Sequence, residues 1–177
     1  MTRSPPRSHG RIVPGAFSPP AWLRNRHLQT LLANKPLRYP AGPAVVDTTI
    51  ELPDGDIVRL VRNKPKDAAH HQPIAVVLHG LAGGYDSAYA RELFTAFAAA
   101  GIEGHMLHFR GCGGVDNRLP RGYHAGDTDD LVGYLATLRQ RHPQRPLVAV
   151  GYSLGANALL QSLGEAEHIA SSRVVVA

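Results

Sequence analysis

The sequence predicts an α/β domain on a mainly parallel sheet with helices on both faces, and three observations carry that prediction. IAVVLHG at 74–80 is a continuous apolar run that reads as a strand buried on both sides, GIEGHMLHFRG from 101 reads as another strand, and PLVAV at 146–150 as a third buried one. Stretches of helical character separate them, which supplies the crossovers that parallel strands need. Two β-branched runs flank a Pro-Asp-Gly turn ahead of all this, the pattern of an N-terminal hairpin.

The elements follow in order along the chain. Residues 1–20 hold five prolines and little that could enter a core, so they are expected to be extended or disordered. They open a basic, Pro-rich arm over 1–43, with a short amphipathic helix near 21–33 in AWLRNRHLQTLLA. Trp22, Leu23, Leu28, Leu31 and Leu32 form its apolar side, read as a brace on the main domain, with a lid or membrane-touching role as the alternative. The main domain is expected over 44–177.

In that domain VVDTTIEL and IVRLVRN make the hairpin, and NKPKDAAHHQP is a polar linker. After the strand at 74–80 a helix runs from about Ser87 to Ala100, starting at the capping pair Asp86 and Ser87 and stopping at Gly101. The next helix has Asp127 as candidate cap, Asp129 and Asp130 in its first turn, Arg139 and Arg141 in its last, and Pro143 behind it. ALLQSLGEAE is a third helix, and RVVVA begins another buried strand.

The basic excess is confined to one end. Residues 1–40 carry seven of the nineteen cations and no acid, leaving twelve cations and fourteen acids, net −2, over the rest. A nucleic-acid partner is therefore not expected, because phosphate binding needs cations spread over a folded face. The lone Cys112 permits no internal disulfide, the N-terminus leads into no apolar signal region, and no run approaches a membrane span. A cytoplasmic protein without a transmembrane segment is expected, with peripheral membrane contact left open to the basic arm. Oligomeric state is not legible.

The chemistry concentrates at GYSLG. Gly151, Ser153 and Gly155 match G-x-S-x-G between a predicted strand and a predicted helix, the context that turns this pattern into a nucleophile elbow. Such a turn strains the serine backbone and lifts its hydroxyl above the sheet, while the following helix aims free N–H groups at any oxyanion formed there. The Leu154 N–H is the first expected oxyanion donor. A second is expected from HGLAGG, where Gly80 closes the strand and Leu81 offers its backbone N–H. No spacing among the histidines, acids and Cys112 suggests a metal site, and no cofactor is expected.

FSPPAWLRNRHLQTLLA, ELPDGD, HGLAGGYDSAYARELF, HFRGCGG with Asn117, YHAGDTDDL and VGYSLGANAL together resemble the YheT-like branch of the α/β-hydrolases. The resemblance runs from about Phe17 to Ala177 and implies a Ser/Asp/His triad, a sheet of about eight strands and hydrolysis of small-molecule carboxylic (acyl) esters, with Ser153 as nucleophile.

In that fold the acid and the histidine follow the serine in the chain. Glu165, Glu167 and His168 are too far along one helix to reach Ser153, about 18 Å at 1.5 Å per residue. The other histidines have structural explanations. His79 belongs to the turn beside the oxyanion loop, His105 and His108 to a strand, His124 to the start of a helix, and His70 and His71 to the linker. The acid and base are expected beyond Ala177, with the fold incomplete at its C-terminus and this truncated form inactive. Two other functions fit the same residues: a non-catalytic interaction protein on the hydrolase scaffold, and an acyltransferase using Ser153.

Overall fold

The computed structural model describes residues 18–33, 41–65, 72–165 and 174–176. Most of the expected extended arm, the linker histidines, Glu167 and His168 therefore lie outside the described residues. The chain divides into two units, Met1–Arg38 and Tyr39–Ala177. In the first, the helix expected near 21–33 is split into a 3-10 turn, Ala21–Leu23, and α1, Arg26–Ala33. The break falls at Asn25, whose Oδ1 accepts the His27 N–H at 2.9 Å and so caps α1.

The second unit contains a six-stranded sheet. Its strands are β1 (Val45–Glu51), β2 (Ile57–Asn63), β3 (Ile74–Leu78), β4 (Glu103–Leu107), β5 (Leu147–Gly151) and β6 (Val174–Val176), in the order β1-β2-β4-β3-β5-β6. β1 pairs with β2 and β2 with β4 antiparallel, whereas β4, β3, β5 and β6 run parallel. The helices are α2 (Ala88–Ala99), α3 (Asp129–Arg141) and α4 (Leu154–Glu165). None of the described helices is long and apolar enough to cross a membrane.

Alternation along the strands divides the core in two. Ile74, Val76 and Leu78 pack with Leu131, Leu135 and Leu138 of α3 and Ala158 and Leu159 of α4. Val77 and Met106 pack on the other face with Ala90 and Phe94 of α2. Helices thus cover both faces, which is why β3 is apolar without a break: all five of its residues are buried. Each fully buried Val or Leu contributes about 1.5–3 kcal/mol.

Two capping expectations need correction. Ser87 does occupy the N-cap position of α2, but its side chain makes no capping bond. Asp86 is drawn instead to Arg59 at 3.0 Å and Arg91 at 3.2 Å. The N-cap position of α3 is held by Thr128, which makes no side-chain capping bond, rather than by Asp127, whose carboxylate accepts from Arg121 Nη2 at 2.7 Å. Guanidinium groups compete for these aspartates, and they offer a full positive charge where a backbone amide offers only a dipole.

A buried cluster ties β4 to α3. Tyr134 Oη lies 2.7 Å from His105 Nδ1, and His105 Nε2 lies 3.0 Å from Glu103 Oε1. Burial pushes the His105 pKa down, so the neutral ring accepts from Tyr134 at Nδ1 and donates to Glu103 from Nε2. That bond, with Arg145 at 2.6 Å, pulls Glu103 from an ordinary 4.5 to about 2 against the opposing effect of burial. Between those pH values the unfolded chain binds more protons than the folded one. The stability Glu103 contributes is therefore full above about pH 4.5 and lost as pH falls toward 2. Urea midpoints for Glu103→Gln and the unaltered protein should differ at pH 7 and converge as pH drops through that window; a gap independent of pH would exclude the linkage.

Candidate active site

The turn between β5 and α4 is Tyr152 and Ser153. Tyr152 N–H donates to Leu78 O at 3.0 Å, extending the β5–β3 pairing by one residue, and Gly155 N–H donates to Tyr152 O at 2.9 Å. The chain must reverse within that span, and Ser153 takes it up with a left-handed φ of 51°. Ser153 is exposed, and its carbonyl accepts the Asn157 N–H at 3.0 Å inside the first turn of α4. The Leu154 N–H opens the helix with no acceptor among the described residues.

The glycines of the pattern act through backbone contact. A Cβ on Gly155 would lie 2.6 Å from His79 O and 2.7 Å from Leu78 O, and one on Gly151 would lie 2.5 Å from Ala156 Cα. Neither strand end can retreat from the other. Gly151 lets α4 turn back closely on the end of β5 and Gly155 lets its first turn sit directly on the end of β3, which brings the loop after β3 alongside: a Cβ on Gly80 would be 3.4 Å from Ser153 Cβ.

That loop is fixed from beneath by His79, which is fully buried. Its Nε2 accepts the Phe109 N–H at 3.1 Å, which assigns the proton to Nδ1, and Nδ1 donates to Gly80 O at 2.7 Å. Gly83 N–H reaches the same oxygen at 2.9 Å. A trans peptide is planar with C=O and N–H opposed, so anchoring the Gly80 carbonyl turns the Leu81 N–H the other way. The Leu81 N–H has no acceptor among the described residues, and its side chain is 73% exposed.

The histidines near the sheet are already committed. Burial lowers the pKa of His79. His108 is pushed down to about 4, by burial first and then by His79 and Arg59. Its Nε2 accepts the Tyr85 N–H at 3.1 Å, which leaves Nδ1 to donate to Arg59 O. His124 is exposed and accepts the Gly126 N–H at 3.0 Å. Glu165 accepts from Thr128 Oγ1 at 3.0 Å and from Gln161 Nε2 at 2.9 Å. Among the described residues, no side chain hydrogen-bonds Ser153 Oγ.

Two further features escape the sequence reading. Arg110 is 2% exposed and binds three carboxylates: Asp130 at 2.7 Å, Asp54 at 2.8 Å and Asp56 at 2.9 Å. It thereby clamps the β1–β2 turn to the loop after β4 and to α3, and it lowers the pKa of Asp54 through their hydrogen bond. Ala82 also has a left-handed φ, 52°, and donates its N–H to Tyr123 Oη at 3.1 Å. The residues that could have signalled the first are FRG and PDGD; nothing local marks the second.

A mainly parallel sheet flanked by helices on both faces, with a strained serine at the strand-to-helix turn, defines the class of α/β hydrolases. The family model for the α/β hydrolase fold matches residues 73–176, and the chain belongs to that family. It is 41% identical over 143 residues to YheT of Escherichia coli (strain K12), a protein named as a candidate esterase, covering 81% of this chain and 42% of YheT. The monoacylglycerol lipase of Saccharomyces cerevisiae is 33% identical over 53% of this chain and 21% of its own length. The chain thus spans less than half the length of these relatives. Among solved structures, XC6422 from Xanthomonas campestris, titled a serine hydrolase without lid, superposes with a TM-score of 0.57 at 23% identity, covering 71% of this chain and 57% of that one.

Proposed function

We propose that this chain carries the nucleophile and the oxyanion donors of a serine hydrolase acting on carboxylic acyl esters. The observation that carries the reading is Ser153: exposed, left-handed, at the start of α4 beside the Leu154 N–H, and close to Gly80, whose added Cβ would lie 3.4 Å from Ser153 Cβ and whose neighbour Leu81, like Leu154, has an N–H without an acceptor among the described residues. A histidine base, oriented by an acid, would take the hydroxyl proton as Ser153 Oγ attacks the ester carbonyl. The two N–H groups would hold the oxyanion, the alcohol would leave with the proton, and water would repeat the sequence to release the acid. Acid and base lie outside the described residues in this reading, following the serine in chain order.

The substrate class draws support from relatives whose names specify acyl esters, among them a monoacylglycerol lipase and a medium-chain fatty acid ethyl ester synthase/esterase, both of Saccharomyces cerevisiae. The second name also supports a variant in which an alcohol instead of water resolves the acyl-enzyme; product analysis with added ethanol separates the two. A cytoplasmic setting, with Cys112 unpaired, fits the same reading.

A fluorophosphonate reagent tests the nucleophile directly. In a full-length form that includes the acid and base, the adduct should map by peptide mass spectrometry to Ser153 and vanish in Ser153→Ala. Equal labelling of the variant would remove the assignment.

A further inference from the structure

Ala82 and Ser153 are the two described non-glycine residues with a left-handed φ. Such a backbone costs an L residue about 1–2 kcal/mol, so it persists only where the surroundings impose it. At Ser153 the imposing contacts are the strand and helix ends. At Ala82 the turn closed by the Gly83 N–H on Gly80 O at 2.9 Å contributes, and the group that meets the Ala82 N–H itself is a side chain 41 residues away: Tyr123 Oη, accepting it at 3.1 Å.

We propose that Tyr123 is a positioning residue of the oxyanion site, its phenol oxygen holding the strained Leu81–Ala82 segment so that the Leu81 N–H keeps its place beside Ser153. The proposal rests on the nucleophile reading above and deepens it.

Everything around the phenol is built to hold it still. Its ring stacks on Phe109 with centroids 4.9 Å apart and planes 14° from parallel. Phe109 is the residue whose N–H fixes the His79 tautomer, so the two anchors of the loop share one support: His79 holds Gly80 from below and Tyr123 holds Ala82 from the side. The backbone leading to Tyr123 is tied down as well. Arg118 N–H donates to Asp56 Oδ1 at 2.8 Å, in the cluster around Arg110, and Asn117 Nδ2 donates to Arg121 O. Just past Tyr123, Ala125 O accepts Asn157 Nδ2 at 2.9 Å. Asn157 lies on α4, the helix that begins with Leu154. The loop carrying Tyr123 is thus bonded to both walls of the oxyanion site, and its position sets the spacing between the two donors.

Tyr123→Phe keeps the stacked ring and removes only the acceptor. In the full-length form, kcat for a p-nitrophenyl ester should fall roughly ten- to hundredfold, less than deletion of an oxyanion donor, with KM unchanged within about twofold. Affinity for a boronic acid, which mimics the tetrahedral species, should fall by the same factor as kcat. Ala82→Gly in the Tyr123→Phe background should restore part of the lost kcat, because glycine adopts the left-handed φ without strain. A purely structural tyrosine predicts neither the parallel loss nor the rescue. Unchanged kcat and boronic-acid affinity in Tyr123→Phe would overturn the proposal. Should that variant not fold, amide exchange in the unaltered protein decides: protection of the Ala82 N–H supports the proposal, and exchange at the rate of an unstructured peptide rejects it. Failure of the underlying reading would look different, as undiminished turnover in Ser153→Ala.

Discussion

Ser153→Ala should lower ester hydrolysis by the full-length form on the order of a millionfold, while Ser153→Gly should do the same and also make the protein more stable. Both variants delete the oxygen proposed to attack. They differ in the backbone: alanine keeps the penalty of a left-handed φ of 51°, and glycine escapes it. We expect Ser153→Gly to unfold about 1 kcal/mol later than Ser153→Ala, an increase of roughly 2–4 °C in melting temperature for a chain of this size. Stability and function then oppose each other at a single residue. Turnover surviving in Ser153→Ala would end the nucleophile assignment; equal melting of the two variants would show that the turn stores no strain.

Gly155→Ala should be among the most damaging single-methyl changes at the described glycines. The added carbon would sit 2.6 Å from His79 O, 2.7 Å from Leu78 O and 2.8 Å from Leu78 C, all of them backbone atoms in the middle of the sheet. None can rotate away. Either β3 or the first turn of α4 must shift, and we expect a loss of about 3 kcal/mol, at the upper end for overpacked positions. The same shift would part the Leu81 and Leu154 amides, so kcat should fall together with stability. Gly164→Ala, on the same helix with nothing within 4 Å of the new carbon, provides the contrast. It should gain about 0.5–1 kcal/mol from helix propensity. Urea denaturation of the pair reads both signs, and a neutral Gly155→Ala would mean that the helix does not rest on the strand as described.

These glycines also mark how far the sequence can be read. β3 was legible because burial on both faces leaves an apolar run with no alternation to misjudge, and β4 and β5 because short strand-like runs stand between helical segments and turn residues. The hairpin was legible because Pro53, Asp54 and Gly55 specify a turn locally, and Gly55 has φ 87°. G-x-S-x-G announced its turn, and Gly151 is explained locally by contact with Ala156, but the reason for Gly155, contact with the backbone of a strand more than seventy residues earlier, is not a local property. The aspartates misled for the same cause. Asp86 and Asp127 stand where helix caps stand, and only the folded chain brings Arg59 and Arg121 to claim them. Arg110 joins residues 56 and 20 positions away, and Tyr123 reaches across 41 to meet Ala82. Pattern reading finds what neighbours in sequence decide; these contacts are decided by neighbours in space.

The register of two adjacent strands has a wider consequence. Leu78 is level with Gly151, so the loops after β3 and β5 leave the sheet at the same height. Their alignment is inherited from the ladder beneath and owes nothing to their own lengths. A slip of one rung would offset them by about 3.3 Å and turn every side chain of the strand to the opposite face, a change the two apolar cores forbid. The segments around this rim are accordingly free to lengthen, shorten and change character over evolutionary time. Diversity in what such a scaffold accepts can accumulate at its edge while the reacting atoms keep their spacing.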